Sequence, residues 1–196
     1  MKEIYFLRHG ETVLPHRYVG KSDISLSENG KKQILTLLPF ARSRVFSRIY
    51  SSPLQRCVQS AEILGMSSTA IFDHRLCEID FGLWERRTFE EISTNFPDEV
   101  AKWSRNESDF CFPEGEKITD FHKRLEDFVQ EIENIADGKL LLIAHGGVIR
   151  HLLCRFLNLS YANYLYFKIE CGKISVLELY SEGGILTRLN GEMADV

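Results

Sequence analysis

Apolar residues form two kinds of run along this chain: short continuous runs, and longer runs with helical spacing. The run from Lys139 to Ala144 is too short for a core helix and is bounded by glycines, so it predicts a fully buried strand. Residues 116–136 place their apolar side chains on one stripe, which is typical of an amphipathic helix. Similar patterns predict strands at 3–8, 47–51, about 69–73, 173–180 and 184–190, and helices at 27–40, after Ser52-Pro53, at 88–95, 97–105 and 147–157.

Capping and turn residues mark the ends of several of these elements. We expect Ser27 to cap the helix at 27–40. Ser52 can cap the next helix, and Pro53 suits its first position. The last two strands are expected to meet at a turn made by Gly183 and Gly184.

Buried strands that alternate with helices predict an α/β fold. We expect a three-layer sandwich with a mostly parallel central sheet, helices on both faces and a small helical cap inserted around 78–115. The whole chain, 1–196, is expected to form a single domain. Ligands of such sheets bind at the carboxyl ends of the strands, so residues that follow strands are the candidates for chemistry.

Composition narrows the class of protein. Hydrophobic residues make up 44% and charged residues 27% of the chain, no stretch approaches the length of a membrane span, and no signal peptide is visible, so we expect a cytoplasmic protein. The five cysteines are widely spaced without a Cys-x-x-Cys pair, which disfavours a disulfide framework or a zinc site. The net charge of -4 argues against a nucleic-acid partner but allows a local cationic pocket for a small anion. A homodimer through the last strands or an exposed helix stays open.

Two histidines and two arginines follow predicted strands. Arg8 and His9 end the first strand, His145 ends the strand at 139–144, and Arg56 lies one turn into the helix after 47–51. Taken singly, each residue has an ordinary structural explanation. Together at one sheet edge they would repel one another and lose hydration, and a bound phosphate dianion would remove that cost.

These residue types suit the transfer of a phosphoryl group. A neutral imidazole such as that of His9 can attack phosphorus, and a protonated His145 can stabilise the transferring group. A carboxylic acid can protonate the leaving oxygen and later deprotonate water. From the residues alone, Glu78 and Asp80 are both candidates for that acid.

Motifs in a fixed order resemble the histidine phosphatase superfamily, which has the phosphoglycerate-mutase-like fold. They are Leu7-Arg8-His9-Gly10-Glu11-Thr12, Gly20-x-x-Asp23-x-x-Leu26-Ser27-x-x-Gly30-x-x-Gln33, Ser51-Ser52-Pro53-Leu54-x-Arg56-x-x-x-Ser60-Ala61, Leu76-x-Glu78-x-x-Phe81-Gly82-x-Trp84-Glu85, Pro113-x-Gly115-Glu116 with Arg124, and Ala144-His145-Gly146-Gly147. The order carries more weight than any one motif.

The resemblance implies a phosphoric monoester hydrolase in which His9 is phosphorylated and Glu78 donates the proton. Phosphate binding then falls to Arg8, Arg56 and His145, joined as substrate-binding residues by Gly20, Ser22 and Gly146. No metal or other cofactor is implied, and the partner is a small-molecule phosphate ester, with no membrane involved.

The chain departs from the family pattern at three positions. Pro15 stands where many members have asparagine, Lys117 where serine is expected, and Arg86 where the acid motif ends in glycine. Within the superfamily, the segment from Pro15 to Gly20 and the aromatic residues that follow Glu78 resemble the α-ribazole phosphatases of cobalamin assembly.

Three other functions stay open. They are a broad-specificity phosphatase of sugar or glycerate phosphates, a cofactor-dependent phosphoglycerate-type mutase, and a non-catalytic phosphate-binding module. We further expect Phe81 or Trp84 to lie at the mouth of the pocket, against an organic leaving group.

Overall fold

The computed structural model describes residues 1–105, 107 and 109–191. Its strands are β1 (Lys2–Arg8), β2 (Arg48–Ser51), β3 (Ile71–Phe72), β4 (Gly138–Ala144), β5 (Ile174–Tyr180) and β6 (Gly183–Gly191). Its α-helices are α1 (Glu28–Leu35), α2 (Leu38–Ser43), α3 (Gln55–Ile63), α4 (Phe89–Asn95), α5 (Pro97–Ser104), α6 (Ile118–Asn134) and α7 (Gly146–Phe156). Short 3₁₀ helices cover His74–Leu76, Gly82–Trp84 and Tyr161–Tyr166.

The six strands form one sheet in the order β3-β2-β4-β1-β5-β6. Strands β3, β2, β4 and β1 are mutually parallel, whereas β5 and β6 run antiparallel to their neighbours. The predicted mostly parallel α/β sheet is therefore confirmed. In the β1–β4 register Arg8 pairs with Ala144, which brings the residues that follow both strands to the same edge.

Hydrophobic cores lie on both faces of this sheet, because alternate side chains of each strand point to opposite sides. Tyr5 and Leu7 pack with α1, α2 and α3, whereas Ile4 and Phe6 pack with α6, α7 and the cap. The four central residues of β1 are at most 2% exposed. Burial on both faces explains why β1 and β4 read as continuous apolar runs.

One predicted helix is divided in two, and one helix start and one turn are shifted relative to the prediction. The helix predicted at 27–40 is divided into α1 and α2, because Pro39 lacks an N–H and occupies the first turn of α2. Helix α3 begins at Gln55 and not at Ser52-Pro53, so Ser52 is not its cap. The hairpin turn lies at 181–182, and the predicted turn glycines open β6.

The expected cap is present between β3 and α6 and contains α4 and α5. Thr88 and Glu91 close the first turn of α4 with reciprocal hydrogen bonds between side chain and backbone. Trp84 is fully buried and lies edge-on to Phe112 and Trp103, so it packs inside the cap, whose apolar residues share one core with those of α6 and α7. Within the described ranges, no helix has the length and apolar character that crossing a bilayer requires.

Candidate active site

The two predicted histidines meet where β1 and β4 end. His9 follows β1 directly, and His145 is the N-cap residue of α7 directly after β4. Their ring centroids are 5.1 Å apart. His9 is 6% exposed and lines a cavity at the sheet edge, whereas His145 is completely buried behind it.

One backbone hydrogen bond sets the tautomer of His9. Its Nδ1 lies 2.7 Å from the carbonyl oxygen of Gly10, which can only accept, so Nδ1 carries the proton. Burial, reinforced by the positive charges of Arg56 and Arg8, holds the pKa of His9 well below its ordinary value. The ring is therefore neutral at pH 7, and the lone pair on Nε2 is free for attack on an electrophile.

His145 has the opposite tautomer. Its Nδ1 accepts a hydrogen bond from Arg56 Nε at 3.1 Å, so Nε2 carries the proton and donates to Ser52 Oγ at 2.8 Å. Burial, followed by the charge of Arg56, keeps the pKa of His145 far below its usual range. His145 is thus a neutral donor in this structure and not the protonated side chain expected from the sequence. Ser52, expected as a helix cap, contacts this ring.

Arg56 lies behind the two histidines and has no exposed surface. Besides its bond to His145, its guanidinium donates to the carbonyl oxygens of Ser22 at 2.9 Å and Gly20 at 2.7 Å. Gly20 and Ser22, expected to bind substrate, do not line the cavity. In this structure their carbonyl groups hold Arg56 instead.

The loop that holds Arg56 is organised by Glu85. The Glu85 carboxylate accepts hydrogen bonds from the backbone N–H groups of Gly20, Lys21 and Ser22, each about 3 Å long, and from that of Phe81. The motif from Leu76 to Glu85 therefore supplies two carboxylates: that of Glu78 lines the cavity, and that of Glu85 binds the loop 20–22. The role of Glu85 could not be read from spacing, because its partners are backbone groups.

Glu78 faces the cavity at the N-terminus of α7. One carboxylate oxygen accepts from the Gly147 N–H at 2.8 Å and the other from the Ile79 N–H at 3.1 Å. The competing residue Asp80 does not line the cavity and pairs with Lys21 at 3.2 Å. Of the two candidate acids, Glu78 therefore lies in the cavity wall and Asp80 does not.

Arg8 lies across the start of α7. Its Nη1 donates to the carbonyl oxygen of Ile169 at 2.6 Å, while its Nε is buried without a hydrogen-bond partner among the described residues. A side chain at Gly146 would bring its Cβ within 3.3 Å of the guanidinium carbon, so glycine allows the close approach. Arg8, Glu78 and Gly146 all line the cavity.

The cavity has a volume of about 440 Å³ and contains groups that the sequence did not single out. Arg150, one turn into α7, lines it beside Arg8, and burial together with that neighbouring charge lowers the pKa of Arg150. The sequence signal that could have indicated Arg150 is its position five residues after His145, in the helix that His145 begins. Tyr164 also lines the cavity, from a 3₁₀ helix without an apolar period. Phe81 is at the cavity wall as expected, whereas Trp84 is not.

Over residues 1–105, 107 and 109–191, no group of three or more histidine, cysteine, aspartate or glutamate side chains is arranged to hold a metal ion.

Known proteins share both the sequence pattern and the fold. Mouse 6-phosphofructo-2-kinase/fructose-2,6-bisphosphatase 1 is 35% identical over 180 residues, which are 91% of this chain but only 37% of that protein. Phosphoserine phosphatase 1 of Hydrogenobacter thermophilus is 26% identical over 97% of this chain and 92% of its own length. The α-ribazole phosphatase structure from Shigella flexneri superposes with a TM-score of 0.84 at 22% identity, over 96% of each chain.

The family model for the histidine phosphatase superfamily, branch 1, matches residues 4–192. The match includes every motif described above, from Arg8-His9 to His145-Gly146. The fold agrees with that of the structural neighbour described above. This chain belongs to the histidine phosphatase superfamily.

Proposed function

We propose that this protein hydrolyses small phosphate monoesters through a phosphohistidine formed on His9. The observation that carries the proposal is the neutral imidazole of His9. This residue lines the cavity, and its Nε2 is unprotonated. Arg8 in the same wall supplies positive charge for the phosphoryl oxygens, and Arg56 lies behind it. Glu78 supplies the acid in the wall of the same cavity.

The first step exchanges one bond to phosphorus for another. His9 Nε2 donates its lone pair to phosphorus, the P–O ester bond breaks, and its electron pair leaves with the alcohol oxygen. Glu78 in its acid form gives that oxygen a proton, so the alcohol departs neutral. The guanidinium of Arg8 in the cavity wall balances the charge on the equatorial oxygens, and the charge of Arg56 adds to it from behind the two histidines. His145 acts as a positioning residue, because its ring accepts from Arg56 and donates to Ser52.

The second step returns the enzyme to its starting state. Water attacks the phosphohistidine, Glu78 as carboxylate accepts a proton from that water, and the P–N bond breaks. The electron pair of that bond returns to His9 Nε2, which again is neutral, and inorganic phosphate leaves. One carboxyl group thus serves as acid and then as base.

We propose α-ribazole 5′-phosphate as the substrate. The segment from Pro15 to Gly20 supports this choice by its resemblance to the α-ribazole phosphatases, and the aromatic side chains of Tyr18, Phe81 and Trp103 in the cavity wall suit a heteroaromatic leaving group. A second candidate is a sugar bisphosphate, as in the name of the mouse relative. Arg150 favours it, because a further buried cation suits a second anionic group.

The phosphoenzyme is tested by mixing enzyme with substrate, quenching in an alkaline denaturant that preserves phosphohistidine, and locating phosphate by mass spectrometry. We expect phosphate on His9 and no turnover by His9→Ala. His74→Ala is the matched control, because His74 is exposed and does not line the cavity, so this variant should keep its activity. Unchanged turnover by His9→Ala would refute the proposal.

The substrate is tested by ranking kcat/KM for α-ribazole 5′-phosphate, fructose 2,6-bisphosphate, phosphoserine and 3-phosphoglycerate. If the second candidate is correct, Arg150→Met should weaken the binding of a bisphosphate far more than that of a monophosphate. Efficient conversion of 3-phosphoglycerate to its isomer with little phosphate release would overturn the hydrolase assignment in favour of a mutase.

A further inference from the structure

A second cavity of about 280 Å³ adjoins the active-site cavity. The two share four wall residues, Trp103, Ile118, His151 and Tyr164. Trp103 and Tyr164 are only partly buried, and their side chains form part of the wall between the two spaces. We call this second cavity the aromatic chamber.

The walls of the aromatic chamber are stacked rings. His122 of α6 stacks on Tyr161 with ring centroids 4.1 Å apart and an interplanar angle of 21°. His151 of α7 stacks on Tyr164 at 4.6 Å and 28°. Offset stacking of this kind favours the insertion of a further flat ring over that of a flexible chain.

The charge of the aromatic chamber differs from that of the active site. Burial lowers the pKa of His122 to about 4 and that of His151 to about 3, so both rings are neutral at pH 7. Among the described residues of its wall the ionised group is Glu107, and no lysine or arginine is present. A phosphate or carboxylate therefore has no partner here, whereas an uncharged ring meets no penalty.

One polar atom of the aromatic chamber lacks a partner. His122 Nε2 is buried without a hydrogen bond among the described residues. A buried unpaired nitrogen of this kind is destabilising, and most such atoms in proteins are paired. A polar atom on the edge of a bound heteroaromatic ring would supply the missing partner. For size, an engineered cavity of roughly 150 Å³ suffices to bind benzene.

We propose that the aromatic chamber binds a planar, uncharged aromatic ring carried by the alcohol part of the ester whose phosphate lies at His9. This inference rests on the proposed function, since it assigns the leaving-group end of the same site. The substrate class is an ester in which a spacer separates the phosphate from an aromatic or heteroaromatic ring.

The test uses phosphonates, which keep the phosphorus dianion but cannot be hydrolysed. Binding of propylphosphonate, of phenylalkylphosphonates with two to four methylenes, and of the matching cyclohexyl compounds is measured by calorimetry. We expect the best phenyl compound to bind roughly tenfold or more tighter than propylphosphonate, from burial of one ring. It should also bind tighter than its cyclohexyl match, because the stacked walls select a flat ring.

Two substitutions, Ala162→Trp and Thr119→Trp, add bulk to the aromatic chamber from two different elements, at residues that do not line the active-site cavity. Each should abolish the preference for the phenyl compound while propylphosphonate binds as before, which also shows that the variant is folded. Tyr166→Trp is the control, since Tyr166 is 83% exposed on the same 3₁₀ helix and should change nothing.

Equal affinity for the propyl and phenyl compounds, or a phenyl preference that survives both tryptophan variants, would overturn the inference. Hydrolysis of propyl phosphate and p-nitrophenyl phosphate is measured separately. Turnover of those esters without a preference for ring-bearing phosphonates would refute the inference about the chamber but not the proposed function. Ring-selective binding without any turnover would refute the proposed function but not the inference about the chamber.

Discussion

Replacing Glu85 with glutamine tests whether one carboxylate holds the loop that positions Arg56. Glutamine keeps the shape of the side chain but exchanges one acceptor oxygen for an NH₂ donor. If that NH₂ group takes the place of Oε2, it faces the Ser22 N–H, and if it takes the place of Oε1, it faces the N–H groups of Lys21 and Phe81. Either way, at least one backbone donor loses its partner and faces another donor.

The magnitude follows from the lost hydrogen bonds. A hydrogen bond to a charged acceptor contributes about 1.5–3 kcal/mol, and the remaining bonds weaken when the charge is removed, so we expect a loss of about 2–4 kcal/mol. At about 2–4 °C per kcal/mol for a chain of this size, Tm falls by roughly 5–15 °C. Displacement of Gly20 and Ser22 also releases Arg56, and misplacement by about 1 Å can lower kcat/KM by roughly a hundredfold.

Thermal denaturation followed by circular dichroism and steady-state hydrolysis of p-nitrophenyl phosphate measure the two effects. Glu90→Gln is the matched control, because Glu90 is an exposed glutamate of α4 in the same cap. The reasoning is refuted if Glu85→Gln matches this control in both Tm and kcat/KM. A lower Tm with unchanged kcat/KM well below the transition would show that the loop supports the fold but not Arg56.

Three further predictions follow from buried groups of the site. Acid should destabilise the protein below about pH 6.5, because His122 and His151, with pKa values of about 4 and 3, stay unprotonated when folded but bind protons when unfolded. The stabilisation is fully present above the unfolded pKa of about 6.5; each ring contributes up to about 2 kcal/mol, less for the partly exposed His122, so urea titrations should show about 3–4 kcal/mol less stability at pH 5 than at pH 7. His122→Phe removes a buried unpaired nitrogen and should raise the stability at pH 7 by about 1 kcal/mol while reducing that acid sensitivity. Gly147→Ala places Cβ 2.4 Å from a Glu78 carboxylate oxygen, so the carboxylate shifts and kcat for an alkyl phosphate falls by roughly a hundredfold.

Each of these predictions has its own control. Lys123→Ala on exposed α6 surface should leave the acid sensitivity unchanged, and an equal pH slope in His122→Phe would contradict the assignment to that ring. For Gly147→Ala, p-nitrophenyl phosphate is the internal control, because its leaving group departs without a proton. Equal losses on both esters would show that the substitution damages phosphate binding and not proton transfer.

Residues that act through their own side chains at strand ends could be predicted from the sequence. His9 and His145 follow continuous apolar strands, and the parallel pairing of those strands brings them together. Residues that act through backbone groups could not be predicted in this way. The carbonyl oxygens of Gly20 and Ser22 accept hydrogen bonds from Arg56 because of the loop's conformation, which side-chain identities do not reveal.

Local signals failed where tertiary contacts decide the conformation. The apolar period continues across 27–40, although Pro39 begins a new helix there. The 3₁₀ helix Tyr161–Tyr166 has no buried residue and hence no apolar stripe, so its contribution of Tyr164 to the cavity was missed. Arg150 was not singled out, because its burial depends on distant parts of the chain, among them Phe167, whose carbonyl oxygen accepts from its Nε at 2.8 Å.

The position of β1 in the sheet has a consequence for biosynthesis. This strand pairs with β4 and β5, both of which lie late in the sequence, and with no strand from the first half of the chain. A ribosome therefore exposes His9 long before the partners of its strand have been translated, and contacts of such high sequence separation form slowly. His9, the proposed nucleophile, follows a strand that stays unpaired during this interval, and the proposed catalytic centre can form only after β4, α7 and β5 have been translated. If the proposed function holds, activity therefore also reports that the chain has finished folding.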